Sequence, residues 1–166
     1  MASPISIESE KAPISRERLV ALLNEDLARE YKAIIAYVVY SQVLKGAEYM
    51  NIAAQLEIHA GQELQHAITI SKQIDYLGGM PTTVPQRLQT SEDAKEMLRM
   101  DLDNEKDTIL NYRERVHQCE ELEEFALAEE IRDILVEEQD HLIDLATALG
   151  EGVPKIGRTK GHTGRK

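Results

Sequence analysis

Only one of the 166 residues is cysteine, Cys119. That excludes an intrachain disulfide, a CxxC redox pair and any cysteine-built zinc cage, and it fits a reducing, cytoplasmic setting. No uncharged apolar run reaches membrane-spanning length, so no membrane is expected as a partner. The first fifteen residues, MASPISIESEKAPIS, have no apolar h-region, and a signal peptide is not expected there. Strand signals are also missing, because no alternation is sustained and the β-branched residues are scattered. Positive charge is scarce: 19 Lys+Arg stand against 30 Asp+Glu, a net charge of −11. The deficit is uneven. Residues 151–166 carry a net +4, so residues 1–150 carry −15. A body this acidic repels nucleic acid and attracts cations.

What is present is a chain with the length and composition of one soluble globular domain, 42% hydrophobic and 30% charged. Four long stretches read as helices. The first runs from Ser15, as N-cap, to Lys45, with Gly46 as the stop. The second runs from about Ala47 to Leu77, before Gly78-Gly79. A loop broken by Pro81 and Pro85 follows. The third starts near Ser91 and reaches about His117. The fourth runs from about Glu121 to Leu149, with Gly150 as the stop. The expected organisation is an N-terminal extension (1–14), a four-helix bundle (15–150) and a basic, glycine-rich flexible tail (151–166). Each helix would be roughly 40 Å long. Residues 78–90 extend to about 43 Å, enough for a long crossover, although an up-down-up-down bundle with a slack loop also satisfies the spacing.

The inward stripes of these helices contain charge. Helix one gives Leu23, Leu27, Glu30, Ile34 and Tyr37; helix two gives Ile52, Leu56, His59, Glu63, His66 and Ile70. Helix three gives Leu98, Leu102, Glu105, Ile109, Tyr112 and Val116; helix four gives Leu127, Ile131, Ile134, Glu138, His141 and Leu145. Every stripe is apolar except near its middle, where each helix places a glutamate. Helices two and four add a histidine three residues later.

The heights agree. Glu30 lies 16 residues before Gly46 and Glu63 lies 17 after it; taking the second turn at residue 120, Glu105 lies 15 before and Glu138 lies 18 after. Glu30 to Glu63 and Glu105 to Glu138 are both 33 residues, and Tyr37 and Tyr112 each follow their glutamate by seven. The chain is therefore an internal repeat of a two-helix hairpin. Each buried carboxylate costs several kcal/mol in desolvation, and like charges at one level add repulsion. Two divalent cations would neutralise all four, with the imidazoles filling nitrogen positions. Two glutamates plus two ExxH pairs, all projecting inward, is the ligand set of di-iron and di-manganese carboxylate bundles.

At Glu30, E-L-Q-H (63–66), Glu105 and E-Q-D-H (138–141), the chain resembles the ferritin-like superfamily, and within it the bacterioferritins, over about residues 16–150. EDAKEMLRMDL and IRDILVEEQDH read like helices three and four of that family. The resemblance implies an all-α bundle with a long crossover between helices two and three. It implies two Fe ions per chain, with manganese an alternative. Glu63 and Glu138 would bridge them, Glu30 with His66 would hold one, and Glu105 with His141 the other. It further implies oxidation of Fe²⁺ by O₂ or H₂O₂, storage of ferric mineral in a hollow homo-oligomer, and Tyr37 as a one-electron donor. The departures refine this. Leu64 occupies the position of the bacterioferritin haem-ligating methionine, so no haem is expected. Ile58 and Gln62 replace the His and Asp of an auxiliary iron site. The glycine-rich tail replaces a fifth helix, which favours a dodecamer, as in Dps-type mini-ferritins, over a 24-mer. Thr108 stands where rubrerythrins carry a further glutamate. A rubrerythrin-like peroxidase or catalase without storage is the alternative enzyme, and a Dps-like DNA-protecting shell the alternative outside enzymology. The acidic body argues against nucleic acid.

Four features stay open on sequence alone. His59, one turn before Glu63, is either a hydrogen-bonded core residue or an additional ligand. Tyr37 and Tyr112 either pack or donate to the glutamates. Cys119 reads as a plain thiol, and His117 and His162 as surface residues.

Overall fold

The computed structural model describes residues 13–158. The extension before residue 13 and the tail beyond residue 158, including His162, lie outside the described residues. Four helices are present: α1 (Arg16–Val43), α2 (Met50–Tyr76), α3 (Ala94–Glu121) and α4 (Phe125–Ala148), with a single 3-10 turn at Ala47–Tyr49 and no strand among the described residues. Ser15 caps α1 as expected, its hydroxyl accepting from the Arg18 amide at 3.1 Å. Gly46 sits at φ 118°, in the left-handed region that glycine adopts without strain, and turns the chain between α1 and α2.

Two boundaries differ from the sequence reading. The N-cap of α3 is Asp93, whose carboxylate accepts from the Glu96 amide at 2.8 Å. Ser91 lies outside the helix and accepts from the Asp93 amide at 3.0 Å. The second turn falls at 122–124 rather than at 120. No glycine or proline interrupts Cys119-Glu120-Glu121, and Cys119 is fully buried, so the helix continues until Glu123 takes the left-handed conformation at φ 59°.

Within each hairpin the two helices pack extensively, α1 on α2 and α3 on α4, while α1–α3 and α2–α4 make narrower contacts. The residue pairs across the hairpins fix their direction. Asp26 meets Arg115, Glu30 meets Tyr112 and Tyr37 meets Glu105, so α1 and α3 are antiparallel. His59 with Asp144 and His66 with Glu137 make α2 and α4 antiparallel as well. Helices α2 and α3 therefore run the same way, and their connection must travel the length of the bundle. It does so along α1. Asn24 binds Met80 O and the Thr82 amide, the Gln86 amide binds Ala28 O, and the Tyr40 hydroxyl donates to Gln89 O. The long crossover is realised.

The apolar core lies in two parts. One holds Leu19, Leu23, Leu27, Ile70, Ile74, Leu127 and Ile131; the other holds Tyr40, Leu56, Leu98, Leu102, Ile109 and Leu145. Between them is a polar layer. Near it, one ion pair is fully enclosed: Arg115 Nε donates to Asp26 Oδ2 at 2.6 Å, with both side chains under 5% exposed. Removing one partner of such a pair strands the other charge and typically costs about 3–5 kcal/mol. Arg115→Met is therefore expected to lower the melting temperature of the metal-free protein sharply, as read by circular dichroism. Arg115→Lys should recover only part of the loss.

Candidate metal centre

All six sequence-predicted ligand residues arrive in the polar layer. Glu30, Glu63, His66, Glu105, Glu138 and His141 are each at most 3% exposed. They fall into two groups whose ligand atoms lie within 4.8 Å of one another: Glu30, Glu63, His66 and Glu138; and Glu63, Glu105, Glu138 and His141. Glu63 and Glu138 belong to both. Periodicity explains the convergence. An i, i+3 pair shares a helix face, so each ExxH aims both side chains inward, and the antiparallel hairpins bring the four glutamates to one height.

The histidines present the same nitrogen to the cluster. His66 Nδ1 lies 3.1 Å from Glu63 and 3.3 Å from Glu138; His141 Nδ1 lies 3.0 Å from Glu63 and 3.3 Å from Glu138. Their other nitrogens face outward acceptors, His66 Nε2 with Glu137 at 2.8 Å and His141 Nε2 with Gln62 at 2.9 Å. An outward acceptor holds the proton on Nε2 and leaves Nδ1 free for a metal. The glutamates are steadied by tyrosines from the opposite hairpin: Tyr37 donates its hydroxyl to Glu105, and Tyr112 donates to Glu30. Burial raises both phenols well above their usual range, so they remain donors.

The cluster is badly short of positive charge. Burial and neighbouring carboxylates push Glu63 and Glu105 well above the usual carboxylate range, and burial raises Glu138. Glu30 moves the other way: burial works to raise it, but the neighbouring Glu63 carboxyl and the charge of His66 outweigh that. For His66 burial opposes the charged form, yet the surrounding carboxylates raise its pKa; His141 is lowered by burial. Even so, Glu30 Oε2, Glu63 Oε1, Glu105 Oε2, both Glu138 oxygens and His141 Nδ1 are buried without a hydrogen-bond partner. These six atoms converge on one volume and approach their neighbours at ion-pair distance without completing hydrogen bonds, a donor set that fits a pair of cations.

Three buried charged residues were not read from the sequence. Asp26, its partner Arg115, and Asp101 are all buried. Asp26 and Asp101 precede Glu30 and Glu105 by four residues, so the 75-residue repeat offset carried that signal. His59 is buried, stacks on the His141 ring at 4.0 Å between centroids, and reaches Asp144 Oδ2 at 3.0 Å. Burial and the neighbouring His141 lower its pKa to about 4. It belongs to neither ligand group.

A buried carboxylate–histidine cluster on the midline of two repeated hairpins is the plan of a ferritin-like bundle. Residues 20–152 match the ferritin-like domain family, and the chain belongs to it. Among curated relatives, the bacterioferritin of Desulfovibrio desulfuricans is 28% identical over 145 residues, 87% of this chain and 80% of its own. Bacterioferritin BfrA of Mycobacterium tuberculosis is 28% identical over 142 residues, 84% of this chain and 87% of its own. Among solved structures, a ferritin-like diiron-carboxylate protein from Bacillus anthracis superposes with a TM-score of 0.78 at 33% identity, covering 82% of this chain and 99% of that one. A dodecameric thioferritin from Bacteroides fragilis, described as bacterioferritin-related, gives 0.76 at 26% identity, covering 82% and 87%. No helix among the described residues is long and apolar enough to cross a membrane.

Cations and protons compete for this cluster. The upward shifts of Glu63, Glu105, Glu138 and His66 favour their protonated forms, and a metal must displace those protons. Metal affinity should therefore fall as pH is lowered. Zn²⁺ added to weakly buffered protein should release protons, measurable as ionisation-dependent heat across buffers; a heat independent of buffer would contradict the charge picture.

Proposed function

We propose that the protein is a di-iron ferroxidase that oxidises Fe²⁺ with O₂ or H₂O₂ and stores the product in a hollow homo-oligomer. The observation that carries this reading is the pair of overlapping ligand groups sharing Glu63 and Glu138. Glu30 and His66 would hold one iron, Glu105 and His141 the other, and Glu63 and Glu138 would bridge them. Bound there, the irons supply the one-electron chemistry that neither carboxylates nor imidazoles possess. The bacterioferritin relatives and the diiron-carboxylate neighbour support iron over manganese.

The chain's own residues supply the rest. Glu137 and Gln62 keep the histidines in the tautomer that offers Nδ1. The two layers of apolar core above and below restrict water. A cavity of about 100 Å³ between α1 and α3 runs from the exposed Asp107 past Lys32, Asn104 and Thr108 to Glu30, Glu63, Glu105 and Glu138. It is the route by which Fe²⁺ substrate and oxidant would arrive, since all four carboxylates line it. The acidic surface concentrates cations near its mouth. For assembly, α1 and α2 expose Ile35, Val38, Val39, Ile58, Leu64 and Ile68, an apolar surface suited to a second subunit. The dodecameric neighbour supports twelve subunits over twenty-four.

Native mass spectrometry after anaerobic Fe²⁺ loading tests the whole reading, beside Glu63→Ala/Glu138→Ala. Two irons per chain on a large closed assembly, lost in the variant, are expected. Two irons on a monomer or dimer would point to the peroxidase chemistry instead, and no specific metal would overturn the reading.

Tyr37, 1% exposed and bonded to Glu105, is placed to donate an electron during turnover. Tyr37→Phe should abolish any tyrosyl radical signal seen by freeze-quench electron paramagnetic resonance, while two irons still bind. A radical of unchanged yield would assign the electron to another residue.

A further inference from the structure

The two hairpins repeat with an offset of 75 residues, and their polar layers can be compared position by position. Asp26 and Asp101 correspond, each four residues before a ligand glutamate and each at most 2% exposed. Their surroundings differ. Asp26 is neutralised by Arg115 at 2.6 Å and by Arg29 at 2.9 Å. The position corresponding to Arg115 in the other half is Tyr40, and the described residues give Asp101 no ion-pair partner. The Tyr40 hydroxyl donates to Gln89 O at 2.8 Å, and the Tyr37 hydroxyl to Glu105. Lys32, whose charge acts on Asp101, points its ammonium at Asn104 Oδ1, 2.9 Å away. Asp101 Oδ2 is left buried with no hydrogen-bond partner, and so is Glu105 Oε2, one helical turn further along α3.

Both residues line the cavity between α1 and α3. Its volume of about 100 Å³, roughly three waters, is shared with the di-metal centre, whose Glu30, Glu63 and Glu138 line it too. An enclosed carboxylate whose nearest cation bonds elsewhere is costly, and the remedy of the centre itself is at hand. We propose that Asp101 and Glu105 form a third cation site, set in the entry cavity beside the di-metal centre. It takes one divalent cation on carboxylate oxygen and water, a hard-ligand site suited to Fe²⁺, Mn²⁺ or Co²⁺ before the ion acquires an imidazole. The proposal rests on the di-metal reading, because Glu105 serves both sites. The half of the molecule closed by Arg115 has no equivalent.

The test counts ions on the full-length assembled protein with Co²⁺, which needs no exclusion of O₂ chemistry, by equilibrium dialysis and native mass spectrometry. The native chain should bind three Co²⁺, and Asp101→Asn two, with the third ion's affinity reduced at least tenfold. Tyr40→Arg restores the cation that the repeat places at Asp26, and it too should bind two. Circular dichroism and assembly mass establish that each variant is folded, and Asp101→Asn, nearly isosteric, decides the matter if Tyr40→Arg is not. Two Co²⁺ in both native and Asp101→Asn protein would overturn the third site and leave the di-metal centre standing, Asp101 then being a protonated acid. Three in both would place the extra ion elsewhere and overturn it equally. No specific Co²⁺ in the native protein would remove the di-metal reading and this one together.

Discussion

Four carboxylates held at one level inside an apolar bundle govern everything else in this structure. Their mutual repulsion and lost hydration must be offset locally, and the bundle gathers every available device around them. Two tyrosines donate to Glu105 and Glu30. Two histidines face inward, and burial holds the carboxyls of Glu63, Glu105 and Glu138 above their usual range. These devices are insufficient, as the orphaned oxygens show. The metal-free chain is therefore in a state of unmet electrostatic demand, and cations of matching charge are its natural complement.

The apolar core is organised to make that demand worthwhile. It is divided into two packed regions with the polar layer between them, so the centre sits far from either end of the helices. The crossover along α1 makes α2 and α3 parallel, and every helix neighbour in the square is then antiparallel. Antiparallel neighbours can bring mid-helix residues to one height from both sides, which is what a symmetric four-glutamate cluster requires.

Much of this was legible in the sequence, because helical periodicity is strict where a core is packed. Stripe residues from Leu23 to Leu145 predicted the buried faces, and the two ExxH pairs with Glu30 and Glu105 predicted which side chains would meet. The long crossover was less determinate, since the length of 78–90 permitted two topologies and only its hydrogen bonds to Asn24, Ala28 and Tyr40 distinguish them. The turn near residue 122 was placed too early because no glycine marks it. Asp26, Arg115 and Asp101 escaped notice for a different reason: charged residues are expected at the surface, and nothing local reveals that Arg115 turns inward to meet Asp26. Comparing the two repeats at equal offset would have exposed the first aspartate through the second.

The tyrosines have a consequence of their own. Tyr37 belongs to the first hairpin and grips a glutamate of the second; Tyr112 returns the favour from the second to the first. Neither hairpin contains a complete polar circuit. Each carries half of the clustered carboxylates and imidazoles and the clasp for the other's half, like two keys cut for each other's locks. The cluster thus comes into being only when the hairpins have docked in the correct register, and a cation held there would certify that the chain has reached its finished form.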